Sequence, residues 1–132
     1  VLGLGSRLPA HCASMGKAML AHLPAEELDQ RLSQSPLKAC TPNSIIGREA
    51  LLAELEKVRR QGFATNDEEL EMGLRAVAAP VWDRSGQVVA AVNITGSAAM
   101  ISCQRLLEEL APAVTQTAKE ISRALGYPIQ GG

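Results

Sequence analysis

The sequence has very few aromatic residues: one Trp, one Tyr and one Phe in 132 residues. Hydrophobic residues nevertheless make up 46% of the chain. Any core must therefore be built from aliphatic side chains and methionine. The length suffices for one domain with a core of its own, and not for two.

The sequence also lacks an excess of charge of either sign. Its 13 basic and 14 acidic residues give a formal net charge of -1. This balance leaves no electrostatic footprint for DNA or RNA on this segment. No apolar run reaches the roughly 20 residues of a membrane span, and no signal-peptide pattern is visible. Because the chain begins with Val1 and not Met, we expect a segment of a longer cytoplasmic protein.

Cysteine and histidine are too few and too scattered for a metal site or a disulfide framework. The three cysteines, Cys12, Cys40 and Cys103, form no C-x-x-C motif, and only His11 and His22 accompany them. Free thiols in a reducing cytosol are the simpler interpretation. We predict neither a metal nor a cofactor.

Hydrophobic periodicity predicts three helices in the first half of the chain. A short strand to about Gly5 and a loop carrying Arg7 precede them. The predicted helices run from about Ser14 to His22, from Pro24 onwards, and from a cap at Asn43 or Ser44 to about Gln61. Leu28 and Leu32 are expected to face the core, as are Leu51, Leu52, Leu55 and Val58. Gly62 fits the position just past a helix end.

The second half predicts a hairpin and a long helix. A short strand in "GFATND" leads into an acidic turn, which we expect to face water. The arms "LRAVAAPVW" and "QVVAAVNITG" flank "DRSG", where Gly86 can supply a positive φ. Pro80 indicates an edge or a bulge. The last helix is expected from Ala99 to Leu125, kinked or restarted at Pro112. Runs of helices and of strands favour an α+β fold with an antiparallel sheet.

The stretch "PAHCASMGKAMLAHLP" allows three interpretations: a catalytic cluster, a metal site, or a helix start whose amides hold an anion. Adjacent side chains such as His11 and Cys12 usually diverge, and Ser6 and Ser14 lack a G-x-S-x-G context. The first amides of a helix have no internal acceptor and carry partial positive charge. Gly16 would let a ligand approach that backbone closely.

A second polar feature lies at the end of the last predicted strand. Strand alternation places Asn93 and Thr95 on the same face. If this pair is buried, it needs partners, because an unsatisfied buried polar group costs about 1–3 kcal/mol. Loop backbone or water is one source of partners, and a ligand pocket is the other.

Three blocks together resemble the effector-binding domain of IclR-family transcriptional regulators: "RLPAHCASMGKAMLA", "RRQGFATNDEELEMGLRAVAAPVWDRSGQVVAAVNITG" and "EISRALG". The first two look closest to members that govern aromatic-acid catabolism, in the β-ketoadipate branch. The resemblance implies a GAF-like fold, an antiparallel sheet flanked by helices. It also implies a dimeric or tetrameric repressor or activator. The family's N-terminal winged helix-turn-helix, and the first strands of the sheet, are expected to be missing from this chain.

The resemblance further implies a set of ligand-binding residues and no catalytic or metal-binding ones. The helix-start residues match the family's carboxylate cradle, Asn66 and Ala76 match two pocket positions, and Asn93 and Thr95 match a polar pair. Members that bind small oxo-acids carry Asp and Cys where Asn66 and Ala76 stand, so the neutral amide and the methyl favour a larger aromatic or ring-derived acid. The predicted ligand-binding residues are Ser14, Met15, Gly16, Asn66, Ala76, Asn93 and Thr95.

The function that follows is small-molecule sensing by a transcriptional regulator. Two alternatives remain open at this point. The chain can be an oligomerisation module without a ligand, or an enzyme that uses Cys12 or the acidic turn.

Overall fold

The computed structural model describes residues 9–34 and 36–128. In this part of the chain, three antiparallel strands form one sheet in the order β1-β2-β3. The strands are β1 (Ala64–Asp67), β2 (Leu74–Trp82) and β3 (Val88–Ser97). The predicted α+β class with an antiparallel sheet is confirmed, whereas the predicted strand to Gly5 and the loop at Arg7 lie outside the described residues.

Five helices accompany the sheet in the described part of the chain. They are α1 (Ser14–Leu20), α2 (Ala25–Gln34), α3 (Arg48–Gln61), α4 (Cys103–Arg105) and α5 (Ala111–Ala124), with a π-helical turn at Leu106–Leu110. Gly62 ends α3 with φ +87°, as its position predicted. No helix among residues 9–34 and 36–128 is long and apolar enough to cross a membrane.

The predicted hairpin is confirmed in its two arms and its turn. β2 pairs with β3 from Leu74↔Ser97 to Trp82↔Val88. In the turn, the Asp83 carboxylate accepts hydrogen bonds from the amides of Ser85 and Gln87, and Gly86 has φ +84°. A positive φ is costly for most residues other than glycine, so this turn fixes the register of the hairpin.

Each face of the sheet packs on its own aliphatic cluster. On one face, Ala64 and Ala78 join buried residues of α1, α2 and α3, including Leu51 and Leu55. On the other, the alternate residues of β2 pack against α5 and the π-helical turn. The fully buried side chains of both clusters are aliphatic, as the scarcity of aromatic residues required. β2 is buried on both faces, while much of β3 is exposed.

The predicted cap of α3 is wrong. Gly47 stands at the N-cap without a side-chain hydrogen bond, and the helix begins at Arg48. The Ser44 hydroxyl instead accepts from the amides of Cys40 and Thr41 at 2.9 and 3.0 Å and donates to the Glu69 carbonyl at 2.6 Å. Serine prefers such local turns as strongly as helix caps. Leu52, predicted in the core, is exposed because it lies at the border of the buried stripe.

The last helix begins later than predicted and is interrupted. Ser102 caps its first turn through a hydrogen bond from the Arg105 amide, so the start at Ala99 is wrong. The Ala111 amide reaches back five residues to Leu106, just before Pro112. Pro112 has no amide hydrogen to donate, which explains a wider turn at this point and confirms the predicted restart. On this helix Ile121 and Leu125 are exposed, whereas Ser122 is buried.

Pro80, for which the sequence predicted an edge or a bulge, lies in the central strand. It pairs with Ala91 of β3, but pairing with β1 ends at Ala64↔Ala78. On that side Pro80 has no neighbouring strand among the described residues, so its missing amide hydrogen breaks no ladder there. An irregularity follows between Val81 and Trp82, and the Trp82 amide donates to the Ser122 hydroxyl at 2.9 Å.

Candidate functional site

Four of the predicted ligand-binding residues meet on one face of the sheet. Asn66 pairs with Ala76, and Ala76 pairs with Thr95, so these three form one row across all three strands. Asn93 lies in the next row, opposite Ala78. Ala64 and Ala78 of that row belong to the same core cluster as Ala18 of α1. The four residues therefore share the sheet face that α1 covers.

Asn93 and Thr95 are neighbours, as strand alternation predicted, but they are exposed. The Asn93 side-chain amide donates to the Thr95 hydroxyl at 2.8 Å. The expectation of a buried pair that requires outside partners is therefore wrong for this chain. The pair forms a polar surface whose remaining donors and acceptors are open.

Asn66 and Ala76 form the buried end of the same row, with 3% and 4% of their surface exposed. The side-chain oxygen Oδ1 of Asn66 accepts a hydrogen bond from the backbone amide of Glu69 at 2.8 Å. Within the described part of the chain, its NH2 group has no hydrogen-bond acceptor. Since Ala76 contributes only a methyl group, this NH2 group is the one polar donor of the row's buried end.

The start of α1 supplies the remaining three predicted residues. Ala13 is the N-cap and makes no side-chain bond, and the first intrahelical bond runs from the Lys17 amide to the Ala13 carbonyl at 2.9 Å. The amides of Ser14, Met15 and Gly16 therefore precede the first helical hydrogen bond. Ser14 is buried, and Met15 is exposed.

Gly16 has a different role in the structure from the one that we expected. A Cβ atom at this position would lie 2.4 Å from the Ala10 carbonyl oxygen and 2.5 Å from the Ala10 Cα. Gly16 thus permits close contact with the chain's own backbone, where we expected close contact with a ligand.

His11 and Cys12 are buried wall residues. The His11 imidazole Nε2 lies 2.7 Å from the Lys38 carbonyl oxygen, and the Cys12 thiol donates to the Ser44 hydroxyl at 3.5 Å. Both side chains thus bind the segment between α2 and α3, and neither activates the other. No group of three or more His, Cys, Asp or Glu side chains able to hold a metal occurs among the described residues.

Sequence reasoning missed a buried ion cluster next to this face. Lys17 is fully buried, and its ammonium donates to Glu54 of α3 at 2.9 Å and to Glu69 at 2.8 Å. Glu69 belongs to the acidic turn that we expected to face water, and it also accepts from the Asp67 amide. A signal was present: Lys17 lies three residues after Ser14 and four before Ala21, within the buried stripe of α1.

The cluster offsets part of the negative charge near the candidate site. The carboxylates of Glu54 and Glu69 both pair with Lys17. The Asp67 carboxylate accepts from Arg75 at 2.8 Å, and this contact lowers the pKa of Asp67. Next to the row of Asn66, Ala76 and Thr95, the acidic side chains are thus paired with cations.

The fold and this face define a class of protein: an α+β domain with a row of uncharged polar groups beside a helix start. The sequence profile described as "Bacterial transcriptional regulator IclR C-terminal" matches residues 1–123. The chain belongs to the IclR family of transcriptional regulators.

Individual relatives agree with this assignment. The chain is 36% identical over 124 residues to the Pca regulon regulatory protein of Pseudomonas putida, covering 94% of this chain and 43% of that protein. It is 40% identical over 123 residues to the HTH-type transcriptional repressor AllR of Salmonella typhi, covering 93% and 45%. The chain thus spans less than half the length of these relatives, and both are named as regulators.

A solved structure of similar fold carries a small molecule. It is a double mutant of the PobR transcription factor inducer binding domain from Acinetobacter, in complex with 3-hydroxybenzoic acid. The TM-score is 0.85 at 34% identity, covering 90% of this chain and 70% of that one. The predicted family and the α+β fold of an IclR-type C-terminal domain are therefore confirmed.

Proposed function

We propose that this chain is a ligand-sensing domain that binds an organic carboxylic acid on the sheet face of Asn66, Ala76, Asn93 and Thr95. The observation that carries the proposal is the convergence of these residues, from three strands, on the face covered by α1. The amides at the start of α1 have no hydrogen-bond acceptor among the described residues, and they supply positive partial charge for a carboxylate.

An aromatic or ring-derived acid suits the chemistry of this face best. Its row offers one amide, one methyl group and one hydroxyl, and its acidic neighbours are paired with cations. The PobR inducer binding domain, similar in fold, is complexed with an aromatic acid. A neutral, partly apolar wall accepts a ring and leaves the carboxylate to the helix start.

The proposal includes the rest of the regulator. In the longer protein, a preceding winged helix-turn-helix would bind DNA, and binding of the acid in the cytoplasm would control that step as repression or activation. We also propose a homodimer or tetramer, since apolar side chains such as Val89 and Leu107 are exposed. Light scattering on this chain tests self-association, and a monomer at high concentration would contradict it.

The decisive variant replaces the exposed polar pair, Asn93→Val with Thr95→Val. Because both residues are exposed and bonded to each other, the free energy of unfolding should change by less than about 1 kcal/mol. Affinity for 3-hydroxybenzoate should fall about tenfold or more, since a hydrogen bond to a charged group contributes roughly 1.5–3 kcal/mol.

Urea unfolding and calorimetric titration on the same samples give both numbers. Thr65→Val is the matched control, because Thr65 lies on β1 with its side chain on the opposite face of the sheet. A double variant that loses stability but keeps its affinity would refute the ligand-binding role of the pair. A broad panel of acids that leaves the melting temperature of the folded chain unchanged would favour the oligomerisation module.

A further inference from the structure

A cavity lies toward the Trp82 end of β2, beyond the row of Asn66, Ala76 and Thr95. Its volume is about 480 Å³, within the range of small-molecule sites. It lies beyond the point where β1 stops pairing with β2. Its walls come from the residue His22 after α1, from the end of α3, from β2 and from α5. None of the seven predicted ligand-binding residues lines it. Its lining comprises His22, Arg59, Gly62, Ala79, Pro80, Trp82, Thr115, Ala118, Lys119, Ser122, Tyr127 and Pro128.

The cavity gathers the only Trp and the only Tyr of the chain. Trp82 and Tyr127 stack with their ring centroids 5.5 Å apart and their planes 18° apart. The His22 ring meets the Trp82 ring edge-on, with the two ring centroids 4.7 Å apart. In a protein whose two core clusters are aliphatic, three rings on one cavity wall form a surface suited to a flat aromatic molecule.

Two polar groups in this wall have no hydrogen-bond partner among the described residues. The Nε2 atom of His22 and the hydroxyl of Thr115 are buried and form no hydrogen bond with the described residues. Buried polar side-chain atoms are bonded in the large majority of cases, so such groups require an explanation. Both belong to residues that line the same cavity. Neither atom is accessible to solvent, so each side chain would turn toward the cavity to bond a polar group there.

The charge of the lining is positive. Arg59 and Lys119 are basic, and the lining contains no Asp or Glu. Arg59 is engaged with the Ala21 carbonyl at 2.8 Å and with Glu56, whereas Lys119 forms no salt bridge with a described residue. His22 adds no charge at neutral pH, because burial and the neighbouring Arg59 lower its pKa. Lys119 is therefore the cation available to an anionic ligand.

We propose that this cavity is a second small-molecule site, which takes a planar aromatic carboxylate. The ring would lie against Trp82 and Tyr127, and the carboxylate would accept hydrogen bonds from Thr115 and Lys119. The site shares no residue with the set Asn66, Ala76, Asn93 and Thr95, so the regulator would have two places for an aromatic acid, each with its own affinity.

Trp82 makes the site directly observable, since it is the sole tryptophan. Benzoate does not absorb at 295 nm, so titration with benzoate should quench the Trp82 emission to saturation. Cyclohexanecarboxylate, which has the charge without the aromatic ring, and benzamide, which has the ring without the charge, should each bind at least about tenfold more weakly.

Two variants and two matched controls locate the site. Thr115→Val should weaken benzoate binding by about tenfold, the effect of one hydrogen bond to a charged group. Lys119→Gln should weaken it by about two- to fivefold, as expected for an exposed charge. Thr117→Val on the exposed side of α5 and Lys57→Gln on α3 should leave the affinity unchanged, as should Asn93→Val with Thr95→Val.

Three results would overturn the proposal. They are the absence of a saturable Trp82 signal up to about 10 mM benzoate with the fold intact, equal affinities for Thr115→Val and Thr117→Val, and loss of the signal in the Asn93→Val, Thr95→Val double variant. The last result would show that Trp82 reports on the sheet face. Failure of the sheet-face proposal alone would leave the Trp82 titration unaffected, so the two outcomes are distinguishable.

Discussion

Lys17 is the residue whose environment departs furthest from its chemical type. Its ammonium is fully buried between the carboxylates of Glu54 and Glu69. A buried charge is tolerated when it is paired and hydrogen-bonded, and removal of one partner leaves the others desolvated without compensation. The cluster joins α1, α3 and the turn after β1, so it holds together the three elements that border the candidate site.

We predict that Lys17→Ala destabilises the protein by about 3–5 kcal/mol, because the largely buried carboxylates of Glu54 and Glu69 then lose their cation. Urea unfolding measures the change. Arg31→Ala is the control: it removes an exposed pair with Glu27 one helical turn away and should cost less than about 0.5 kcal/mol. Equal effects of the two substitutions would contradict this account of Lys17.

Cys40 is exposed but should be a poor nucleophile. Its interaction with the Cys12 thiol, with lesser effects of burial and of the Cys12 charge, raises the pKa of Cys40 to about 11. Both cysteines contact the Ser44 hydroxyl, Cys12 through its thiol and Cys40 through its amide. The thiolate is the reactive form, and at pH 8 a thiol with this pKa is only about 0.1% ionised.

We therefore predict that iodoacetamide at pH 8 modifies Cys103 well before Cys40, although both thiols are exposed. Peptide mass spectrometry over time gives the two rates. Cys12→Ala removes the interaction with the Cys12 thiol and should accelerate the modification of Cys40 about tenfold. If Cys40 reacts as fast as Cys103 in the unsubstituted protein, the thiol–thiol contact has no such effect.

At the scale of elements, α1 is fixed by a close contact that helix propensity does not reveal. Gly16 stands inside the helix, where Ala would normally be more favourable by about 1 kcal/mol. The Ala10 backbone occupies the space of the missing side chain, with its carbonyl oxygen 2.4 Å from a Cβ position. The preceding segment, which carries His11 and Cys12, can therefore lie directly against α1.

We predict that Gly16→Ala destabilises the protein by about 1–3 kcal/mol, the typical cost of overpacking, and so has the opposite sign to helix propensity. Gly47→Ala is the comparison, since the nearest atom to its Cβ would be Ala50 Cβ at 3.7 Å. Gly47→Ala replaces the N-cap glycine of α3 and should lower the free energy of unfolding by less than about 1 kcal/mol. Thermal unfolding of both variants measures the two effects. Stabilisation by Gly16→Ala would show that the Ala10 backbone moves away from position 16 at little cost.

At the scale of the whole molecule, His22 connects stability with pH. Burial, and secondarily the charge of Arg59, lower the pKa of His22 below its usual 6.5. The unfolded chain then binds a proton more readily than the folded one in the interval between the two values. The free energy of unfolding should consequently be constant above about pH 6.5 and decrease as the pH falls through that interval.

The prediction is tested by urea unfolding from pH 5 to 8 for the unsubstituted protein and for His22→Gln. The difference between the two curves isolates His22 from other titrating groups. We expect the His22→Gln curve to be flatter between pH 6.5 and the pKa of the folded state. Parallel curves would mean that His22 titrates alike in both states.

Much of the fold followed from local patterns. Apolar spacing located α1, α2 and α3, Gly62 and Gly86 marked a helix end and a turn, and strand alternation placed Asn93 beside Thr95. The predicted cap of α3 failed because a side chain that could have bonded locally bonds a residue distant in sequence. Ser44 could have capped α3, but its hydroxyl binds the turn at Glu69, 25 residues away.

The candidate site divides in the same way. The resemblance to the family supplied Asn66 and Ala76, and alternation alone supplied Asn93 and Thr95, because side-chain direction in a strand depends only on its period of two. The row of Asn66, Ala76 and Thr95 depends on register, which is set by the turns and by burial over the whole sheet. The burial of Lys17 was not predicted, because a lysine is assigned to the surface unless its partners are known.

By itself, the sequence determined an aliphatic core, an α+β order of elements, a hairpin with a glycine turn and membership of a regulator family. These properties reside in composition, in short-range periodicity and in motifs that neighbouring residues carry together. The tertiary structure decided which polar groups are buried and with whom they pair. It buried Lys17 with two carboxylates and brought Trp82 and Tyr127 together across 45 positions, because packing joins residues that no local spacing relates.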